Sequence, residues 1–305
     1  MKALKGTAFA LLGAALAMAI AARLAPRTAK DIPLGDGDRA DLDGRRAVYL
    51  DSFTVPVYPS GKPKQYISAV KTFDHEEHRL SSAEISVNHP LRWDGWWVYQ
   101  MSYGMDEDGY LYTVLHAVRD SLLPLAAVAG ALMILGALLL CFVPREQPPS
   151  APTRLRVALS WAAALAVTAL PAFIIGRAVM RPEPVPALQS VLMAPHVAAY
   201  AGSYLLLLFA AFGIGRRAVP VGFLLMTLGL VIGAAWGKVA WGDWWQFDPK
   251  ENWSLATWCA FAVHLALPSG GKWSRTFLWI GAVLIVVTLT WVNFSRFASG
   301  LHSYA

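Results

Sequence analysis

The sequence has few charged residues and almost no cysteine. Only 15% of its 305 residues are Asp, Glu, Lys or Arg, whereas 56% are hydrophobic, a balance far from that of soluble globular domains. The two cysteines, Cys141 and Cys259, lie far apart in apolar segments and form no C-x-x-C pair. This excludes a disulfide framework, a thioredoxin-like motif and a motif for covalent cofactor attachment. The composition predicts a membrane protein.

The basic residues do not form a nucleic-acid-binding face. The formal net charge is +6, but Lys and Arg stand in short groups beside apolar segments, which is typical of topology signals. The positive-inside rule assigns four such groups to the cytoplasm: Lys2/Lys5, Arg145/Arg154/Arg156, Arg216/Arg217 and Lys272/Arg275. Arg177, Arg181 and Lys238 oppose this assignment and are outnumbered. We therefore expect a multi-pass protein of a bacterial inner membrane and no nucleic-acid partner.

The distribution of apolar segments predicts an α-helical polytopic membrane protein of about seven spans with a small extracytoplasmic antiparallel β domain. Residues 1–25 predict a signal peptide or a membrane anchor. Residues 26–120 alternate like strands, as in 47–50 and 84–87, with turn signals such as Asp94-Gly95. A span at 121–143, a cytoplasmic linker at 144–156 and a membrane domain at 157–305 follow. Further spans are expected at 157–178, from near 196 to 215, and at 219–236, 248–267 and 276–292.

The chain is richest in aromatic residues between positions 241 and 253. Trp241, Trp244 and Trp245 are spaced by three and four residues, so in a helix they would share one face and form a flat platform. An aromatic belt at a membrane interface is the alternative. Belts carry one or two aromatics per helix end, whereas Trp236, Trp253 and Trp258 also crowd this stretch.

A helix start follows directly. Asp248 is the predicted N-cap, Pro249 the first helical residue and Glu251 the partner in a capping box. Capping explains both carboxylates, so we assign no catalytic acid or base. Lys250 is a cation in the first turn, where the helix dipole disfavours it, and an anionic ligand group nearby would remove that objection.

Three histidines suggest a ligand. His196 and His302 are expected on the outer face with the Trp-rich stretch, and two imidazoles beside aromatic rings suit haem, whose iron accepts an axial nitrogen on each face. His264 is expected about 22 Å along the helix that starts at Pro249, in the inner half of the bilayer, where an ionisable residue is costly and usually functional. The alternatives are headgroup-level polar residues for His196 and His302, and an interhelical hydrogen bond for His264.

The residues from Trp241 to Trp258 resemble the tryptophan-rich WWD signature of haem-handling proteins. The Asp-Pro-Lys-Glu continuation is similar to the CcsA (ResC) branch and differs from the CcmC and CcmF relatives, and the resemblance covers roughly residues 186–305. In the β domain, Phe53 and the stretches at 58–61, 66–68, 85–95 and 98–100 resemble the C-terminal part of CcsB (ResB), and this resemblance covers the β domain and the second span. The chain thus resembles a shortened CcsB–CcsA fusion, the System II cytochrome c synthase.

This resemblance implies a cofactor, a reaction and partners. The implied cofactor is haem b, with His196 and His302 as ligands of the external iron and His264 as ligand of a transmembrane haem iron. The other predicted cofactor-binding residues lie in the signature: Trp241, Trp244, Trp245, Asp248, Lys250, Trp253 and Trp258. The implied activity is that of a holocytochrome c synthase, which attaches haem by thioether bonds to the CXXCH motif of apocytochrome c. Thiol-reducing proteins and a separate ResB-like membrane subunit are the further partners.

The family has a second transmembrane histidine ahead of its external domain. His116, at the outer edge of the span at 121–143, is the one candidate substitute in this sequence. We do not assign it as a ligand, because a partner of His264 should lie deeper in the membrane. Two other functions compete with the synthase. The first is a haem exporter or chaperone that passes haem to a separate synthase. The second is a quinol-oxidising cytochrome b, which needs paired histidines deep within two helices and ranks last because only His264 is expected there.

Overall fold

The computed structural model describes residues 2–76, 79–120, 123–144, 183–213 and 218–291, with a few positions between 154 and 162. The expected span at 157–178 and the tail that contains His302 lie outside these residues. The positions of His302, Arg177, Arg181, Arg216 and Arg217 therefore stay predictions.

Five described helices are long and apolar enough to cross a membrane, fewer than the seven spans expected. They are α1 (Lys2–Leu24), α2 (Leu123–Cys141), α3 (Met193–Ala211), α4 (Ala218–Trp241) and α6 (Lys272–Leu289). A sixth, α5 (Pro249–Ala266), is helical over the expected residues. It falls outside this apolar group, and Lys250 and Glu251 occupy its first turn.

Two helix boundaries differ from the sequence prediction. Helix α4 continues five residues beyond Trp236, to Trp241, because Lys238 is buried and bonded at that end. Helix α6 begins at Lys272, so Lys272 and Arg275 belong to the helix rather than to the preceding turn. Gly270, with φ 82°, and the N-cap Gly271 form that turn.

The predicted antiparallel β domain is present as two four-stranded sheets that pack around one core. One sheet has the order β1-β8-β7-β6 and the other β2-β3-β4-β5. Asp94 and Gly95, with φ 45° and 83°, make the tight turn between β6 and β7, as expected. Both sheets contribute to the core. The strands are β1 (Thr28–Leu34), β2 (Arg39–Asp41), β3 (Arg46–Thr54), β4 (Ile67–Asp74), β5 (Arg79–Ser86), β6 (Leu91–Trp93), β7 (Trp96–Met105) and β8 (Leu111–Arg119).

Small residues let the first two membrane helices pack closely. Ala8 and Ala15 of α1 are fully buried, and a Cβ built on Gly136 of α2 would lie 2.9 Å from the carbonyl oxygen of Ala8. Close backbone approach over small residues is a common means of helix association in membranes. The N-terminal segment is thus an integral part of the helix bundle.

The contacts at the two ends of the bundle agree with the expected grouping of segments. At one end, Lys5 Nζ lies 3.4 Å from the carbonyl oxygen of Leu267, and Lys2, Pro144 and Ser269 line a cavity of about 140 Å³ beside it. At the other end, α1 leads into the β domain. Which end faces the cytoplasm stays a prediction from the positive-inside rule.

Candidate functional site

The Trp-rich stretch is not one helix. Helix α4 ends at Trp241, and residues 242–248, here called the Trp loop, are irregular. Gly242 has φ 89°, a left-handed conformation that glycine provides at helix C-termini. Trp244 and Trp245 therefore leave the helix face of Trp241, and the expected flat platform of these three indoles is wrong.

His196 sits in a notch between helices α3 and α4. Its Nδ1 lies 2.9 Å from the carbonyl oxygen of Gly229, and a Cβ built on Gly233 would lie 2.6 Å from its ring. Because a carbonyl only accepts hydrogen bonds, Nδ1 carries the proton, and Nε2 is the nitrogen suited to ligate a metal. Two glycines one turn apart thus set the tautomer and orientation of this imidazole.

A continuous row of aromatic rings joins His196 to the Trp loop. The ring centroid of His196 is 6.0 Å from that of Trp236, which is 5.2 Å from that of Trp241 at the head of the loop. On the other side, Tyr200 packs edge-on at 5.1 Å from His196. Tyr200 was missed by sequence reasoning, although its position one turn after His196 places it on the same helix face.

The predicted capping box of α5 is confirmed and reaches back into the Trp loop. The Asp248 side chain accepts a hydrogen bond from the backbone N–H of Lys250. Oε2 of Glu251 accepts from the backbone N–H groups of Gln246 at 2.8 Å and Asp248 at 3.1 Å. The Lys250 side chain interacts electrostatically with Asp248, which offsets part of the unfavourable dipole at this position.

The other tryptophans of the signature occupy different surroundings. The carbonyl oxygen of Trp245 accepts a hydrogen bond from Arg23 Nε, and Trp253 is half-buried on α5. Trp258 is buried in the bundle core, where its Nε1 donates to Thr227 at 2.9 Å. Trp244 Nε1 is buried without a hydrogen-bond partner among the described residues.

His264 lies at the opposite end of the bundle from His196. It is two residues from the end of α5 and buried, and its Nδ1 is 2.7 Å from the carbonyl oxygen of Ser274 on α6. Lys5 contacts the next turn, at Leu267. The structure therefore separates His264 from the aromatic row, as the sequence predicts.

The β domain and its linkers contact the Trp loop through residues that sequence reasoning missed. Arg27, between α1 and β1, forms a bidentate ion pair with Asp243. Lys238 is only 2% exposed and lies 3.8 Å from Asp120, so its charge is used inside the protein and is not a topology signal. No local sequence pattern predicts an ion pair between residues that are 216 positions apart, as Arg27 and Asp243 are.

His116 lies within the β domain rather than at the edge of a span. It belongs to β8, and its Nδ1 is 2.5 Å from Oδ1 of Asp31 on the neighbouring strand. Beside it, Tyr99 is 1% exposed, and burial raises the pKa of its phenol, so the hydroxyl stays protonated. Among the described residues this hydroxyl has no hydrogen-bond partner.

Two segments of the chain match known families, one over the β domain and the other over the later membrane helices. Residues 10–127, which include most of α1 and the β domain, match the ResB-like family. Residues 213–302, which include α4, the Trp loop, α5 and α6, match the family described as Cytochrome C assembly protein. The class is thus that of membrane proteins with both a ResB-like and a cytochrome c assembly segment.

Curated relatives match the second segment. The chain is 42% identical over 90 residues to the cytochrome c biogenesis protein CcsA of Prochlorococcus marinus strain MIT 9303. It is 39% identical over 90 residues to CcsA of Synechococcus sp. strain WH7803. Each match spans 29% of this chain and 28% of the relative. The predicted resemblance is confirmed: CcsA-like and ResB-like parts occur together, consistent with a fused CcsBA-type protein.

The described residues fit a planar, iron-containing ligand in part. Among them no group of three or more His, Cys, Asp or Glu could enclose a bare metal ion, whereas a porphyrin brings its own four nitrogens and asks the protein for axial ligands only. His196 is a preorganised imidazole beside aromatic rings. The buried Nε1–H of Trp244 has no acceptor among the described residues, and a carboxylate group of a ligand could accept its hydrogen bond.

Proposed function

We propose that this chain acts in cytochrome c biogenesis by holding haem b at the Trp loop and presenting it to apocytochrome c. The proposal rests on the position of His196, whose imidazole is held between two helices at the end of an aromatic row. The carbonyl of Gly229 holds its ring, and the row runs through Trp236 to Trp241. Gly229, Trp236 and Trp241, but not His196 itself, belong to the segment that matches the Cytochrome C assembly protein family. The CcsA and ResB matches support the biogenesis role; haem binding and attachment are our inference from the site.

In this proposal the protein works by positioning. His196 offers Nε2 from one side and His302 a second imidazole from the other, while the rings of Trp236 and Trp241 exclude water. Trp244, Trp245 and Trp253, with Asp248 and Lys250, complete the proposed haem contacts. Trp258, which the sequence also predicted as a contact, instead packs in the bundle core and donates to Thr227. Haem is the substrate and supplies two vinyl groups to which the CXXCH thiols add. Holding both reactants in register supplies much of the rate as effective concentration.

His264 is the proposed ligand for haem on its way across the membrane. The carbonyl of Ser274 holds its Nδ1, so a bond to iron would use Nε2. We place this end at the cytoplasm, and the β domain, the Trp loop and the C-terminus in the periplasm, because the basic groups predict that orientation.

The first test is the absorption spectrum of the protein purified in detergent. We expect a bis-histidine haem spectrum that is lost in His196→Ala and restored by added imidazole, because imidazole can occupy the vacated axial position. The control is His89→Ala, which removes an exposed histidine of the β domain. An unchanged spectrum in His196→Ala would refute the assignment.

The second test separates attachment from delivery. The full chain is expressed with an apocytochrome c in a host that lacks its own maturation system. Covalent haem on the cytochrome supports a synthase. Haem bound to this chain without covalent product supports a haem exporter or chaperone that serves a separate synthase.

A further inference from the structure

We propose that the β domain positions the Trp loop, and that Gly242 is the contact through which it does so. This inference rests on the proposed haem site and adds a role for the ResB-like part of the chain. It concerns three described contacts between this part and the loop: a glycine packed on the sheet, an ion pair from the first linker, and a buried lysine paired with the second linker.

Gly242 packs on the β domain so closely that a side chain there would require Tyr99 or His116 to shift by a few tenths of an ångström. A Cβ built there would lie 3.1 Å from Cε2 of Tyr99 and 3.2 Å from Cδ2 of His116. Its φ of 89° is also strained for other residues. Glycine thus lets the end of α4 meet the domain at van der Waals distance.

The surface that meets Gly242 is rigid. Tyr99, His116 and Asp31 are direct cross-strand neighbours on β7, β8 and β1. The bond between His116 and Asp31 fixes the imidazole, and Tyr99 is buried. A row of side chains across three paired strands resists displacement, so the loop must adapt to the sheet.

The first linker between the β domain and the membrane helices binds the Trp loop directly, and the second binds it through Lys238 of α4. Arg27, just before β1, pairs with Asp243. Asp120, just after β8, lies 3.8 Å from Lys238, whose Nζ donates to the carbonyl oxygen of Gly242 at 2.9 Å. Arg27 thus holds Asp243 directly, and Asp120 acts on the adjacent Gly242 through Lys238. Both ion pairs are shielded, since Lys238 and Asp243 are largely buried.

These contacts fix the loop next to Trp241, the last ring of the row that begins at His196. A shift of Gly242 would move Trp241 or Trp244, and with them the proposed haem contacts. Packed interfaces transmit such shifts because protein interiors are close-packed.

The test compares two glycine substitutions in the full-length protein. Gly242→Ala introduces backbone strain at φ 89° and a Cβ in tight contact with Tyr99 and His116, at 3.1 and 3.2 Å. Gly270→Ala introduces similar strain at φ 82°, with nothing within 4 Å of the new Cβ. Hydrogen–deuterium exchange of residues 242–248 and haem affinity are measured for both.

We expect Gly242→Ala to raise exchange in the Trp loop and to weaken haem binding about tenfold, while Gly270→Ala matches the parent. Equal effects of the two substitutions, or none, would overturn the inference. If the parent protein binds no haem, the proposed function fails, while the exchange data still decide whether the β domain holds the loop.

A charge exchange gives an independent result. Arg27→Asp and Asp243→Arg should each raise exchange in the loop, and the double variant should restore part of the protection because the pair is reformed in reverse. A double variant no better than the two single variants combined would count against the contact.

Discussion

Glycine at position 233 is the residue that makes room for the proposed haem ligand. The His196 ring occupies the space where a Gly233 side chain would stand. The same face of α4 meets Tyr200 at Gly229 and Leu207 at Gly222. Three glycines of α4 thus make close contacts, and only at Gly233 would a Cβ meet the imidazole ring. Substitutions at Gly233 and Gly222 can therefore be compared directly.

We predict that Gly233→Ala weakens haem binding about fivefold, because the displaced ring loses its hydrogen bond to Gly229, worth about 1 kcal/mol. Haem titration and the absorption spectrum measure the effect, and imidazole should restore the spectrum. Gly222→Ala overpacks the same interface against Leu207, at a similar stability cost of about 1–3 kcal/mol. If Gly222→Ala lowers haem affinity equally, His196 is not the reason.

At the scale of elements, the start of α5 is where loop and helix are joined. Glu251 accepts two backbone hydrogen bonds, from Gln246 within the Trp loop and from the N-cap Asp248. A capping box normally secures a helix end; here the same carboxylate also closes the loop.

We predict that Glu251→Ala lowers the free energy of unfolding by about 1 kcal/mol, as loss of a cap does, and increases hydrogen exchange at residues 246–252. Glu251→Gln keeps an acceptor at the same place and should show a smaller change. Thermal unfolding and peptide-level exchange are the measurements. Glutamine behaving like alanine would mean that charge, rather than the hydrogen bonds, matters.

The element structure was predictable where the signal is local. The start of α5 was predicted from Asp248, Pro249 and Glu251, and the turn between β6 and β7 from Asp94-Gly95. Both predictions succeeded because helix caps and tight turns depend on residues that are neighbours in sequence. The Trp spacing misled because Gly242 ends the helix in a left-handed conformation. The contact of Arg27 with Asp243 could not be foreseen, since an ion pair between distant segments leaves no pattern in a single sequence.

At the scale of the whole molecule, the β domain has its own electrostatic support. Burial disfavours the charged form of Asp43, but hydrogen bonds from Trp96 and from the backbone and side chain of Arg46 outweigh it and lower the pKa of Asp43 to about 2. This carboxylate ties the loop before β3 to β7. The ionised form therefore stabilises the folded domain.

We predict that the domain loses on the order of 1 kcal/mol of stability on acidification, because solvent weakens the interactions of the partly exposed Asp43 carboxylate. Because the folded pKa lies below the ordinary 3.8, the stabilisation is complete above pH 4 and is lost as the pH falls to about 2. Thermal unfolding between pH 2 and 6 should show a flatter pH dependence in Asp43→Asn. Asp51→Asn breaks an exposed pair with Lys71 and should change little; an equal effect would contradict the prediction.

The packing of α1 on α2 determines when this protein can assemble. About a hundred residues, which contain the whole β domain, separate these two helices along the chain, so α1 is synthesised well before its partner α2. Pairing of the two helices then closes a large loop and brings Arg27 and Asp120 side by side. Since α4 is synthesised later still, its C-terminal loop is delivered to a receiving surface that already exists. A nascent chain whose β domain fails to fold would insert its remaining helices with no sheet surface to receive that loop.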